Sequence, residues 1–292
     1  MRVLVTGAVG FIGKYVMAAL EDAGHEAIGL DLIRGLRGAY GFVADITQPL
    51  TLMPGRETLD AVIHLAALSH PRQCDENPGK AYEVNVLGTS NVLRMALASG
   101  AKKFVFSSSA HVYDLPPRYM PTDELLPLRL NNTYTTNKIL GEKLCELYYE
   151  NHGLSYTTLR LFNAYGNGQA LGYFIPDIIA RAKAGDFELR GANTTKDWIA
   201  VEDVARAFVA AIETSFVGAM NIGTGVETNL GAIASRIADA HGVTCTTYDD
   251  SKATRMCADA TRARRILGWE PQTSIWEGLN AILSHEAATI PA

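Results

Sequence analysis

An α/β fold is predicted for this chain: a doubly wound parallel sheet with a smaller, partly discontinuous α+β region. Three observations predict it. The chain opens on a β-branched apolar run, Arg2-Val3-Leu4-Val5-Thr6, which breaks into a glycine turn and then a helical pattern through Leu20. Strand and helix signals alternate through the first half, the order that right-handed βαβ crossovers produce. The second strand ends in an acid, Asp31.

Composition narrows the class. The 292 residues are 48% hydrophobic and 20% charged, an ordinary balance for a globular enzyme of one large or two smaller domains. The net charge is −5 and no Lys/Arg block stands out, which argues against a nucleic-acid partner. The four cysteines (Cys74, Cys145, Cys245, Cys257) form no C-x-x-C pair and the histidines no H-E-x-x-H, so reduced thiols and no metal site are expected. Val3-Leu4-Val5 is too short for a signal peptide or a membrane span, so a cytoplasmic protein with no membrane partner is expected.

The first strand, Arg2–Thr6, is apolar throughout, as a strand covered on both faces must be. Gly7, Gly10 and Gly13 follow as G-x-x-G-x-x-G. A strand, a glycine turn and a helix start place backbone N–H groups and a helix N-terminus against a pyrophosphate. Gly7 allows the tight turn, Gly10 close approach to phosphate, and Gly13 helix-on-strand packing. The second strand is Glu26–Asp31. An acid there accepts from an adenosine ribose 2′-hydroxyl and favours NAD, although Arg34 and Arg37 lie nearby.

Residues 41–44 predict a third strand, with Asp45 and Ile46 placed to meet an adenine ring. Residues 59–65 predict a fourth, running into the small residues Ala66 and Ala67. His64 lies inside its apolar run, where packing or hydrogen bonding is the expected role. A single long helix is predicted from about Pro78 to Ser99. The fifth strand, Lys103–Ser107, delivers Ser107-Ser108-Ser109 to the carboxyl end of the sheet, where open parallel sheets carry their functional groups.

The stretch Tyr134-Thr135-Thr136-Asn137-Lys138 opens the next helical run. Positions four apart share a helix face, so the Tyr134 hydroxyl and the Lys138 ammonium can reach one small volume. A nearby cation favours phenolate, and a Tyr pKa lowered from about 10 to about 7 would make a general base. Ser155–Leu161 adds a strand ending at Phe162-Asn163. Residues 193–199 predict a short strand, residues 201–205 a helix whose positive end suits Glu202 and Asp203, and residues 219–223 a late strand. A last helix runs from about Ile275 to His285. The division expected is a Rossmann-type cofactor domain, residues 1–163 plus about 197–223, and a substrate region, about 164–196 plus 224–292.

Taken together, several stretches resemble the extended short-chain dehydrogenase/reductase family, in its NAD-dependent nucleotide-sugar epimerase/dehydratase branch. They are residues 6–13, His64-Leu65-Ala66-Ala67, Asn85-Val86-Leu87-Gly88-Thr89, residues 106–113, the Tyr134/Lys138 pair, residues 159–166 and Leu267-Gly268-Trp269, in the family's order. The resemblance implies NAD as cofactor, held by the glycine turn with Phe11 and Ile12, by Asp31, Asp45 and Ile46, by Leu65, Ala66 and Ala67, and by Asn85, Ser107, Tyr134 and Lys138. It implies Ser109, Tyr134 and Lys138 as the catalytic set. It places Ser109, Ala110, His111, Tyr134, Asn163, Lys196 and Arg255 beside a nucleotide-sugar substrate. Relatives that dehydrate carry an Asp-Glu pair where this chain has Ala110 and His111, which argues against elimination. A homodimer is implied, packed through the segments around 78–99 and 132–150, with Leu140, Leu144 and Leu147 on that face or in the core. The chemistry expected is epimerisation at C4 through a 4-keto intermediate. A 4-keto-sugar reductase or sugar dehydrogenase is the alternative, and a silent nucleotide-binding scaffold the third reading.

Overall fold

The computed structural model describes residues 1–33, 40–50 and 58–289. Arg34 and Arg37 lie outside the described residues. In chain order the elements are β1 (Arg2–Thr6), α1 (Phe11–Asp22), β2 (Glu26–Asp31), β3 (Tyr40–Val43), β4 (Ala61–His64), α2 (Pro71–Glu76), α3 (Pro78–Tyr82), a π-helical turn (Glu83–Leu87), α4 (Gly88–Ala98), β5 (Lys103–Ser109), a 3-10 turn (Ala110–Val112), α5 (Thr133–His152), β6 (Ser155–Leu161), β7 (Asn163–Tyr165), α6 (Phe174–Ala184), β8 (Phe187–Arg190), β9 (Thr195–Ala200), α7 (Val201–Glu213), β10 (Gly218–Ile222), β11 (Glu227–Asn229), α8 (Leu230–His241), β12 (Cys245–Tyr248), α9 (Thr261–Leu267) and α10 (Ile275–Thr289).

Seven parallel strands form the main sheet in the order β10-β6-β5-β4-β1-β2-β3. Strand order reverses beside β1, and ligands of such sheets bind at that crevice. One face is covered by α1 and α7, where Val16, Leu20, Val204 and Phe208 pack on Val3, Val5 and Val105. The other is covered by α4 and α5, where Val92, Leu93 and Cys145 pack on Leu4, Val62 and Phe104. Gly141 of α5 rests on Phe106, and an added Cβ there would lie 2.3 Å from the ring.

The rest of the chain builds a smaller unit. A three-stranded sheet, β11-β9-β7, and a parallel pair, β12-β8, enclose a third core with α6, α8 and α10. The 201–205 expectation is met by α7, but Asp203 does more than face a helix dipole. It is fully buried and accepts from the backbone N–H of Gln272 and Thr273 and from Arg206, while the Trp269 indole donates to its carbonyl at 2.9 Å. The C-terminal segment is thereby tied to the nucleotide half.

Two elements differ from expectation. The single helix over 78–99 is interrupted by the π-helical turn, whose extra residue swings Asn85 inward onto Leu68. The strand Ser155–Leu161 is β6 as expected, but Asn163, expected at its end, begins β7 of the second sheet.

Candidate active site

A cavity of about 810 Å³ opens at the carboxyl ends of β1, β2, β4, β5 and β6. It is lined by Gly7, Gly10, Phe11, Ile12 and Gly13, by Asp31, Asp45, Ile46, Leu65, Ala66 and Ala67, and by Ser107, Ser109, Ala110, His111, Tyr134, Lys138 and Asn163. These residues were named from sequence, and the fold brings them to one wall-to-wall crevice.

The glycine turn has little room for anything but glycine. Gly7 has φ +71°, and a Cβ on it would lie 2.8 Å from the Ala66 nitrogen. A Cβ on Gly13 would lie 2.1 Å from the Gly7 carbonyl oxygen, so α1 can sit this close to β1 only without a side chain. Asp31 accepts from the amides of Val9 at 2.9 Å and Leu32 at 2.7 Å. Each of its oxygens retains a lone pair for a ribose hydroxyl. The turn, the α1 N-terminus and this anchored carboxylate fit an NAD dinucleotide. Asp45 is held by the Thr47 amide, and that bond keeps its carboxyl below the usual range.

His64 is buried and bonded at both ring nitrogens, as its place in an apolar run suggested. The Thr89 hydroxyl donates to the Asn85 carbonyl at 2.7 Å, so it accepts from His64 Nε2–H at 2.9 Å. His64 Nδ1 then accepts from the Thr6 hydroxyl at 2.6 Å, and Thr6 Oγ1 accepts the Ala66 amide at 3.2 Å. Burial pushes the imidazole down to about 3, which fixes it neutral in this tautomer. The chain of bonds holds the Ala66-Ala67 wall in place.

At the catalytic end, α5 is capped by Asn132, whose side chain accepts from the Thr135 amide while Thr135 Oγ1 accepts from the Asn132 amide. Tyr134 and Lys138, on the first turns, are buried. Tyr134 and Ser109 line the cavity together, and the Ser109 hydroxyl lies near enough to act on the phenol. Lys138 Nζ donates to the Ser107 carbonyl at 2.7 Å and lies 5.9 Å from the Tyr134 ring centroid. The expected lowering of the Tyr134 pKa by Lys138 is not found in the protein alone. Burial raises the phenol above its ordinary value, and the Ser109 hydroxyl offsets this only in part. Burial also draws Lys138 down to about 8. The His111 ring meets Tyr134 edge-on at 6.4 Å, and burial with the nearby Lys196 charge lowers it to about 4.

Three expected residues stand elsewhere. Asn85 does not line the cavity; it spends its amide on both backbone groups of Leu68, at 2.8 and 3.0 Å. Arg255 is turned away and paired with Glu227, which leaves its fork unavailable. Lys196, on β9, lies near His111 and outside the lining, and its ammonium makes no hydrogen bond or ion pair among the described residues. Asn163 does line the cavity, with Nδ2 donated to the Asp197 carbonyl at 2.9 Å. No described residue of 224–292 lines it; that wall is built by residues 161–174 and Trp198.

Sequence reasoning missed Ser69, Tyr173, Phe174 and Trp198, which all line the cavity. The Ser69 and Tyr173 hydroxyls are 3.0 Å apart, across 104 positions of sequence, so no local pattern announces them. Among the described residues no helix is long and apolar enough to cross a membrane, and no group of three or more His, Cys, Asp or Glu could hold a metal.

A parallel sheet with an NAD-shaped crevice and a Ser-Tyr-Lys set at its mouth defines an NAD-binding enzyme of the extended short-chain dehydrogenase/reductase fold. The chain belongs to the NAD dependent epimerase/dehydratase family, whose profile matches residues 3–223, and it is an NAD-dependent epimerase. It is 34% identical to a UDP-glucose 4-epimerase of Mycolicibacterium smegmatis, over 96% of each chain. Among solved structures, the UDP-glucose 4-epimerase of Thermotoga maritima with UDP-glucose superposes with a TM-score of 0.89 at 26% identity, covering 100% of both chains. That of Thermus thermophilus with NAD gives 0.88 at 25% identity, over 99% of this chain and 100% of the other.

Proposed function

We propose that the chain interconverts a nucleotide sugar and its C4 epimer, with Ser109, Tyr134 and Lys138 as the catalytic set. The observation that carries this is that Ser109, Tyr134 and Lys138 line the same crevice as the glycine turn and Asp31. The relatives named UDP-glucose 4-epimerase support the substrate class.

NAD, held by the glycine turn, Asp31 and Lys138, would supply the hydride chemistry at C4. Ser109 orients the reacting hydroxyl, and Tyr134 takes its proton and later gives it back. Lys138 holds the nicotinamide ribose and, with the positive charge of the oxidised ring, brings the phenol down from its raised value. Lys196 offers an unpaired, half-buried ammonium to a phosphate on the nucleotide side. The wall from Phe162 to Phe174 excludes water around the keto sugar. The lining by residues 161–174 and Trp198 supports a substrate region that includes the start of the expected 164–196 segment.

The test has two readings. Protein purified without added cofactor is denatured and its released nucleotide identified, and the native protein is then given UDP-glucose. Stoichiometric NAD together with formation of UDP-galactose, without exchange of the C4 hydrogen with solvent, is the expected result. Cofactor that comes and goes as NAD(P)H, with no epimer formed, would replace this reading by a reductase.

The dimer belongs to the same proposal. Leu140 and Leu147 lie on one face of α5 and are 39% and 47% exposed, while Leu144 packs partly into the core. Tyr82 and Leu87 add apolar surface beside them, and the neighbouring charges are satisfied within the chain as Lys80–Glu83 and Lys143–Glu146. A second copy of the chain is the occupant of this face. Sedimentation should show twice the 31.6 kDa chain mass, and Leu140→Glu should shift it towards monomer.

A further inference from the structure

Tyr134, Lys138 and Glu142 stand at i, i+4 and i+8 of α5 and form one stripe along the helix. That stripe meets the three serines that end β5, one for one. Tyr134 lies by Ser109 in the cavity lining, Lys138 Nζ donates to the Ser107 carbonyl at 2.7 Å, and Ser108 Oγ donates to Glu142 Oε1 at 2.6 Å. Glu142 in turn takes a two-pronged grip from Arg160 of β6: Nε to Oε1 at 3.0 Å and Nη2 to Oε2 at 2.7 Å. Both side chains are about nine-tenths buried. Arg160 Nη1 reaches the Tyr113 hydroxyl at 3.1 Å, which donates to Asn221 Oδ1 of β10 at 2.6 Å. A buried polar path thus runs from the catalytic helix across β5 and β6 to the sheet edge.

We propose that Glu142, fixed by Ser108 and Arg160, is a positioning residue of the active site: it sets the end of β5 against α5 and holds Lys138 as an ammonium ion. A buried ion pair contributes little net stability and is better explained by what it fixes. The groups that face Lys138 are the Cys74 thiol from α2, His64 from β4, Tyr134 and Glu142 on its own helix, and Arg160 behind Glu142. Among these described groups Glu142 is the one carboxylate. Burial favours neutral lysine; the Cys74 thiol, itself held towards its neutral form by burial, and then Glu142 oppose that. The inference rests on the reading of Lys138 as the ribose-holding cation.

The sign is definite. Without the Glu142 charge, Lys138 loses its proton at a lower pH. The test follows the Lys138 Cε resonance of the full chain, labelled in lysine, through a pH titration. Glu142→Gln should lower the midpoint by about one pH unit or more, and Glu142→Asp, which keeps the charge, should restore most of it. An unchanged midpoint in the Gln variant overturns the proposal. If that variant does not fold, the double variant Glu142→Gln with Arg160→Gln leaves no lone buried guanidinium, and its midpoint must still move downward or the proposal falls. NAD affinity measured over the same pH range separates the two ideas. A shifted midpoint with NAD affinity indifferent to it rejects the ribose-holding role of Lys138 and upholds that of Glu142.

Discussion

Tyr134→Phe loses turnover by roughly 10²–10⁴-fold while the protein stays folded and keeps its NAD. The substitution removes one oxygen from a ring that packs against Cys74 and Ala81, so the packing survives. On the proposed roles, what is lost is the proton acceptor for the sugar hydroxyl. Activity is measured as epimer formation, and bound NAD by its release on denaturation. Retention of more than about a tenth of the wild-type rate would reject Tyr134 as the base. The raised phenol also predicts the pH course. A base must be deprotonated to act, so kcat/KM rises with pH along its acid limb. The pKa read from that limb should lie well below that of Tyr134 in cofactor-free protein, because the positive nicotinamide ring acts only in the loaded enzyme.

Asp197→Ala should produce the largest loss of stability. Asp197 is fully buried, and its two oxygens accept four bonds: the Thr224 amide and hydroxyl at 2.8 and 2.6 Å, the Gly225 amide at 2.8 Å and the Ala258 amide at 3.0 Å. It therefore gathers the turn after β10 and the segment before α9 onto β9. Removal takes the acceptor from three backbone N–H groups, of which that of Ala258 is buried and those of Thr224 and Gly225 are part-buried. An unsatisfied buried donor costs about 1–3 kcal/mol, and the three do not add fully, so a loss of roughly 3–5 kcal/mol is expected. Thermal unfolding should fall by on the order of 10 °C. Asp197→Asn keeps one acceptor oxygen and should lose about half as much. A shift within about 2 °C for the Ala variant would show that the turn finds other partners.

Much of this site was legible because its parts are local. A glycine turn between a strand and a helix, an acid at the end of β2, and a Tyr and a Lys one helical turn apart all announce themselves within a few residues. What was hidden depends on distance and burial. Glu142 and Arg160 are separated by 18 positions, and Arg255 and Glu227 by 28, so no spacing rule pairs them. Arg255 is expected beside the substrate only through the resemblance to relatives that carry an arginine in a diphosphate-gripping loop; in the structure it pairs with Glu227 of β11. The direction of the Tyr134 shift was also invisible, because the neighbouring lysine can be read from sequence and the depth of burial cannot. The π-helical turn left a trace in Asn85 and Gly88, polar and small residues in an otherwise helical stretch. Only the position of Leu68 explains why the helix breaks there.

The order of strands in the main sheet has a consequence for how the protein is made. Residues 1–109 contain β1 to β5, and these occupy a contiguous block, β5-β4-β1-β2-β3, of the sheet. A nascent chain can therefore assemble the nucleotide half early, with β5 as its growing edge. Every residue of β5 is buried in the finished protein, and its partner β6 begins only at Ser155. At ordinary rates of synthesis, about 5–20 residues per second, that edge waits for several seconds with its hydrogen-bonding row unpaired. Such an edge invites pairing with another chain. Between the emergence of Ser109 and that of Leu161, β5 is therefore an unpaired edge of the growing sheet.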